Sequence, residues 1–393
     1  MRMWQYWLTG GTVALMLSAA AIPLPVALAT PLTPELQVKV LIRAGDRLSD
    51  GTDFAQQNDF TAYLPEDAGH GTLMVGHELS HRNDPVGGRF TKLGLTGLTV
   101  TSSAFWVGDM HNLCAGAVTP WGTILSCEEF PASALPGSRI FNDLAYLTLR
   151  VQPTDPVARY GYVYEIDPKA TDPARRAVRR PALGRFSHES ACMVGDRDVY
   201  LTEDFEDGYL FRFRMDRAGD LTHGRLFAYD RPNARWLPIT DPLNAHLDAA
   251  AVKATPFHRL EDVTLAPDGT LFIAETGQPK AGDPFGRVLR LDPKTMRMAV
   301  YLNGDGTTLA NPDNLIVDRK GRLLICEDRY DEFLPLTGAN RVLAVSPDRR
   351  VTPILRILAV GEPTGPSFSP DGTTLFLSVM AKALGGVVAV TGF

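Results

Sequence analysis

Positive charge is in short supply along this chain. Lys and Arg number 39 against 45 Asp and Glu, a net charge of −6, which leaves no basic face of the kind a nucleic-acid partner needs. Cysteine is scarce too, with four residues. Cys127 and Cys326 occupy equivalent places in two copies of a repeat described below, which argues against their mutual pairing. Together with Cys192 they read as small buried hydrophobes in strands. A long apolar run is found only near the start, over residues 4–28, and Pro23 and Pro25 break it. That makes it a poor spanning helix. Preceded by Arg2 and ending on Ala27-Leu28-Ala29, it reads as a secretory signal peptide. No Arg-Arg pair precedes it, so the general export route is expected over the twin-arginine one. The expectation is a signal peptide over residues 1–29, and a periplasmic or secreted protein with no stable membrane insertion once the signal is removed.

Glycine and proline are plentiful, at 35 and 29, as when short strands alternate with many turns. The strands repeat. GTILSCEE (122–129), RDVYLTED (197–204), GTLFIAET (269–276) and GRLLICED (321–328) each leave a turn, alternate apolar and small positions, and reach a Glu at the seventh position. Those residues are Glu128, Glu203, Glu275 and Glu327. GTLMVGHE (71–78) is a weaker copy ending on Glu78, and GTTLFLSV (372–379) lacks the acid. Fourteen residues before each strand-end Glu stand Cys114, Glu189, Glu261 and Asp313. Each unit is therefore a hairpin with polar residues at both open ends, brought level by equal strand lengths.

A third apolar strand follows most hairpins (161–168, 208–215, 286–293, 340–347, 385–392), and a fourth follows several (225–229, 296–302, 352–358). Four strands per repeat, with repeats about 50 residues apart, is the pattern of propeller blades. The fold expected is all-β: one six-bladed β-propeller domain of four-stranded blades over residues 30–393, with hairpins near 60–78, 112–129, 187–204, 259–276, 311–328 and 364–379. Two excursions interrupt the array. Residues 168–182, with Arg175, Arg176, Arg179 and Arg180, read as a solvated loop, and LNAHLDAAAVKA (243–254) reads as a short helix over one face.

If the hairpins are the inner halves of their blades, their open ends surround one mouth. Glu78, Glu128, Glu189, Glu203, Glu261, Glu275, Asp313 and Glu327 then meet there. Two carboxylates at about 4 Å repel by about 4 kcal/mol at an effective dielectric near 20, and no lysines are interleaved with these acids. Raised pKa values or bound cations must relieve the repulsion. Calcium, which takes carboxylate oxygens, is the better answer. In the doubled acids (128–129, 203–204, 261–262, 327–328), neighbours face opposite sides of the strand. The register-matched member is expected to face the cluster, the other to support it or lock blades. His77 and His188, each beside such an acid, are expected to point away. Cys114 places a soft thiolate among hard ligands, which suits iron or another transition metal.

HNLCAGAVTPWGTILSCEE (111–129) resembles the N-C-A-G-G-x-T-P-W-G-T-x-L-x-C-E-E signature of PhoX-type alkaline phosphatases. GRFSHES (184–190), DVYLTED (198–204), KATPFHRLEDV (253–263) and EPTGPSFSPDGTTLF (362–376) extend the resemblance in order. It implies a six-bladed propeller that hydrolyses phosphate monoesters at a mouth holding iron and calcium. Cys114 is then an iron ligand, and Glu128, Glu189 and Glu203 are among the cluster carboxylates, with Glu261, Glu275 and Glu327 at matching strand ends. Arg259 is the implied phosphate-binding arginine. Gly76 stands where the family commonly has a phosphate-contacting Asn, and Leu260 where it has Pro. Cys114, Glu128 and Arg259 are expected to carry the reaction, on a small-molecule phosphate ester, in a monomer.

Two rivals share the fold. A calcium-dependent propeller lactonase or esterase needs one metal and no thiolate. A non-enzymatic scaffold would use calcium only to lock its blades.

Overall fold

The computed structural model describes residues 27–67, 69–129, 150–329, 340–358 and 361–393. The alternating segments form six antiparallel sheets of four or five strands, arranged as the blades of a six-bladed β-propeller. The innermost strands are Asn58–Asp67, Leu113–Val118, His188–Val194, Leu260–Leu265, Pro312–Val317 and Glu362–Phe368. Each touches the next, and the last touches the first, so they form a closed ring. All six begin at the same end of the ring, because each is the first strand of an up-and-down blade.

A segment from early in the chain completes the ring. Gln37–Arg43 is the outer strand of the sixth blade, paired with Gly386–Thr391. Ala29–Pro31 lies along Val351–Ile357 as a fifth strand of the fifth blade, and Arg235–Pro238 is a fifth strand of the third. The excursion between the third and fourth blades carries the expected helix, α1 (Ala245–Ala251). The arginine-rich loop is partly ordered into the strand Ala177–Arg179. Within it, Arg176 stacks on Trp106 and Arg180 pairs with Glu165 rather than both being solvated.

Apolar alternation along the strands buries one cluster between each pair of neighbouring blades. Leu125, Cys127 and Val163 of the second blade, for example, pack on Val199, Leu201 and Phe211 of the third. Burying one such side chain is worth about 1.5–3 kcal/mol, so the six interfaces dominate the stability of the ring. All four cysteines are free and buried; Cys127, Cys192 and Cys326 fill such clusters as expected.

Small side chains let the inner strands converge. Ala62, Ala115, Ala191, Val263 and Leu315 help to line a central cavity of about 270 Å³. Within the second blade, Gly116 permits a close approach of its hairpin partner, since a Cβ there would lie 1.8 Å from the Leu125 carbonyl oxygen. Polar bonds tie blades together at this level. Asp262 accepts from the Ser190 hydroxyl at 2.5 Å and from the Leu315 amide at 2.8 Å, which joins three blades through one carboxylate.

Candidate active site

One construction recurs at the open end of the first five blades. The first inner-strand residue pairs with the last residue of the next strand or near it, and then the register slips. Leu113 faces Glu128 before Gly116 faces Ser126. His188 faces Glu203 before Ala191 faces Leu201. Leu260 faces Glu275, and Pro312 faces Glu327, with the same slip after each. In the first blade Asn58 faces His77 before Phe60 faces Gly76. Such a bulge leaves residues unpaired and re-aims their side chains. The first residues caught in the slips are Asp59, Cys114, Glu189, Glu261 and Asp313.

These side chains meet. Ligand atoms of Asp59, Cys114 and Glu189 lie within 4.8 Å of one another, as do those of Glu189, Glu261 and Asp313. The residues that follow the strand ends join them: Glu78 and Glu129 group with Cys114, and Glu129 and Asp204 with Glu189. The Cys114 thiol is 3.5 Å from Glu129 Oε2. Glu362, from the first position of the sixth blade, hydrogen-bonds with Asp313, and Asp328 lies near enough to raise both. Convergence of the hairpin mouths, and the placing of Cys114, Glu78, Glu189, Glu261 and Asp313 at it, agree with the spacing. Asp59, Glu129, Asp204, Asp328 and Glu362 are additional.

Four expected members turn away, which corrects the choice made within three of the doubled acids. Glu128 accepts from the backbone amides of His111, Gly161 and Tyr162 at 2.9–3.2 Å. Glu203 accepts from the Tyr209 amide at 3.0 Å and faces His246 Nδ1 of helix α1 at 3.0 Å. Glu327 takes the Ala310 amide and a two-pronged contact from Arg341. Glu275 takes the His258 amide, with Arg287 Nε at 2.8 Å; its own small group with His258 and Asp283 is thus filled by a guanidinium. The reason is alternation: the strand-end acid completes the ladder and faces the blade, so its neighbour faces the mouth. Only in the pair Glu261–Asp262 does the earlier acid face the cluster while the later one locks blades.

His77 and His188 face away from the mouth, as expected. Burial pushes each imidazole down to about 3, so neither balances the acids. A Cβ at Gly76 would lie 3.2 Å from Phe60 Cβ and 3.3 Å from Phe90 Cζ. That position therefore looks into the apolar interface and not at the mouth.

The acids are buried: Glu129, Glu189 and Asp204 are 4%, 5% and 2% exposed. Burial first, and then repulsion from neighbouring acids, pushes Glu129, Glu189 and Asp313 well above the usual carboxylate range. The same causes raise Glu261, with Arg259 opposing, and carry Glu78 up to about 8. Asp59 rises to about 6, mainly by burial. Burial, then Glu189 and Glu129, raises the Cys114 thiol. Among the described residues, Asp59, Glu129, Glu189 and Asp313 have no ion-pair partner. Glu129 Oε1 is buried without a hydrogen bond. Carboxylate oxygens with spare lone pairs, crowded round one thiol, are the donor set of a multivalent cation site.

Arg259 borders the cluster. Its Nε and Nη2 reach the two Asp204 oxygens at 2.8 and 2.6 Å, and Nη2 lies 2.9 Å from Glu261 Oε1. The backbone is left-handed there (φ 61°). It is held by a bond from the Arg259 amide to the Phe205 carbonyl and another from the Thr276 amide to the Arg259 carbonyl. The side chain stays 40% exposed, within reach of solvent at the mouth.

Residues 99–382 match the family model of the alkaline phosphatase PhoX. The chain belongs to this family. It is accordingly a phosphatase, a hydrolase. No curated protein sequence matches the chain. Among solved structures, Pseudomonas fluorescens PhoX in complex with vanadate, a transition-state analogue, is similar with a TM-score of 0.72 at 20% identity, over 94% of this chain and 97% of that one. A protein described as a gluconolactonase is similar with a TM-score of 0.51 at 11% identity, over 92% and 97%. At these identities the likeness is one of fold, which this PhoX-family chain shares with both.

Proposed function

We propose that this chain is an exported phosphatase that hydrolyses phosphate monoesters at the mouth cluster, with calcium held by carboxylates and iron at Cys114. One observation carries the reading: acids from all six blades, most of them buried, converge beside one thiol and one guanidinium, with too little positive charge of their own. Asp59, Glu78, Cys114, Glu129, Glu189, Asp204, Glu261 and Asp313 would hold the cations, with Asp328 and Glu362 beside them. Bound there, the cations would supply charge neutralisation and Lewis-acid polarisation of the phosphoryl group.

The chain's own residues have separate tasks. Arg259 binds phosphoryl oxygens, for which a planar fork of N–H donors is suited. Asp204 orients that fork through its two-pronged contact. Glu128, Glu203, Glu275 and Glu327 fix the backbone from which the cluster residues project. The vanadate complex of the similar PhoX structure fits a mouth that binds a phosphate-like oxyanion.

The test is elemental analysis of the purified protein, paired with p-nitrophenyl phosphate turnover before and after chelation. Several cations per chain, and turnover lost on chelation and restored by calcium with iron, are the expected results. Unchanged turnover by metal-free protein would remove the cluster from the mechanism. Opening of a lactone without phosphate release would favour the lactonase reading.

A further inference from the structure

A leader boundary after Ala29 conflicts with what Leu28 and Ala29 do in the fold. Leu28 is 1% exposed and Ala29 5%, and both belong to the apolar cluster between the fifth and sixth blades. Leu28 reaches across that interface: a Cβ at Gly386 of the sixth blade would lie 2.9 Å from its Cδ1. Its carbonyl accepts from the Leu358 amide at 2.9 Å, and Ala29 then opens the ladder by pairing with Ile357. Thr30 and Pro31 continue the pairing, opposite Arg356 and Leu355. Soon afterwards the chain enters Gln37–Arg43, the outer strand of the sixth blade. One short stretch is therefore fastened to both blades. A cut after Ala29 would take the buried Leu28 side chain away, opening a cavity in that interface, and would strip the Leu358 amide of its acceptor.

The sequence holds an earlier site of the same kind. Ala19-Ala20-Ala21, which lies before the described residues, stands just past the apolar run Val13-Ala14-Leu15-Met16-Leu17. A leader ending there has a basic start, an apolar core free of proline, and small residues at the cut. One ending at Ala29 must take in Pro23 and Pro25 as well. We propose that export cleaves the Ala21–Ile22 bond, and that Leu28 and Ala29 stay with the mature protein as a strap joining the last two blades. A leader peptidase of the exporting membrane adds water across this amide, leaving the Ala21 carboxylate and the Ile22 amine. The new terminus then lies ahead of the segment that Leu28 ties down, not inside it. This rests on the reading of the protein as exported.

Cell fractionation, intact mass and N-terminal sequencing of the protein made with its own leader test the cut. An exported chain beginning at Ile22 is expected, and an exported chain beginning at Thr30 would overturn the proposal. Ala27 is exposed, so Ala27→Gln spoils the small-residue pattern before the Ala29–Thr30 bond without entering the core. Processing of that variant should be unaltered; its arrest would show that the later bond is the one cut. The strap is tested on chains starting at Ile22 and at Thr30, and on Leu28→Ala in the longer one. The Thr30 chain and Leu28→Ala should each melt roughly 5 °C below the Ile22 chain, with p-nitrophenyl phosphate turnover at low temperature unaltered. Equal melting temperatures in all three would overturn the strap. An uncleaved chain in the cytoplasm would instead refute export, and the cut with it, which is distinct from a Thr30 start in the exported fraction.

Discussion

Glu128 and Glu129 are adjacent, yet their carboxylates serve opposite sides of one strand. Glu128 is closed in by three backbone amides, while Glu129 lies 3.5 Å from the Cys114 thiol with one oxygen unpartnered. The pair separates the frame of the site from its working surface, and each half has its own consequences.

On the working side, the thiol is the one soft donor in the cluster. Cys114→Ser exchanges it for a hard oxygen in nearly the same place. The expected outcome is selective loss of iron, with calcium retained by the carboxylate groups centred on Glu189, read by elemental analysis of the purified variant. Iron at unaltered stoichiometry in Cys114→Ser would take the thiol out of the metal site.

The raised carboxylates set a pH dependence for the chelated protein. Glu78 and Asp59 rise to about 8 and about 6, and Glu129, Glu189 and Asp313 rise well above their ordinary values. An acid whose folded pKa is raised binds more protons in the native than in the unfolded state, so stability falls as pH rises between the two values. The chelated protein should therefore melt at a higher temperature near about pH 5 than near about pH 9, opposite to an ordinary salt-bridged protein. Added calcium should raise the melting temperature most at the alkaline end. A chelated protein whose melting temperature climbs with pH over that interval would contradict the reading of these groups.

Much of this was legible beforehand, because the repeat fixes register. The hairpin spacing led to Cys114, Glu189, Glu261 and Asp313, which the structure brings to the mouth, since these four hairpins have one length from open end to open end. Asp59 escaped the count because the hairpin of the first blade is longer: Asn58 pairs with His77, whereas Leu113 already pairs with Glu128. Glu362 escaped it because its partner at the strand end is Met380, not an acid. Which member of Glu128–Glu129, Glu203–Asp204 and Glu327–Asp328 faces the mouth depends on a bulge. A bulge changes the facing of residues without leaving a mark in the pattern of apolar positions.

On the frame side, Glu327 is fully buried and binds Arg341 through both oxygens, together with the Ala310 amide. Glu327→Ala leaves that guanidinium without its carboxylate, and removing one partner of such a pair costs about 3–5 kcal/mol. Denaturant unfolding should register the loss, while cation content at low temperature stays near that of the unaltered protein. Loss of a cation without loss of stability would return Glu327 to the cluster.

Arg259 offers a sharper separation of charge from shape. Its left-handed backbone (φ 61°) suits glycine, so Arg259→Gly deletes the guanidinium without adding strain, whereas a β-branched replacement would confound the two. Arg259→Lys keeps one positive charge but gives up the planar fork held by Asp204. If the arginine recognises phosphoryl oxygens by shape as well as charge, both variants should raise KM for p-nitrophenyl phosphate and weaken inhibition by vanadate. The glycine variant should lose more, and the lysine variant should recover only part of the difference. The loss of a charged hydrogen-bonding partner corresponds to about 1.5–3 kcal/mol, roughly a ten- to hundredfold change. Cation content should be unaltered in Arg259→Lys, since the positive charge beside Asp204 and Glu261 is retained. A lysine variant with unaltered KM would show that charge alone suffices at the mouth, and the oriented grip of Asp204 would then have no part in binding substrate.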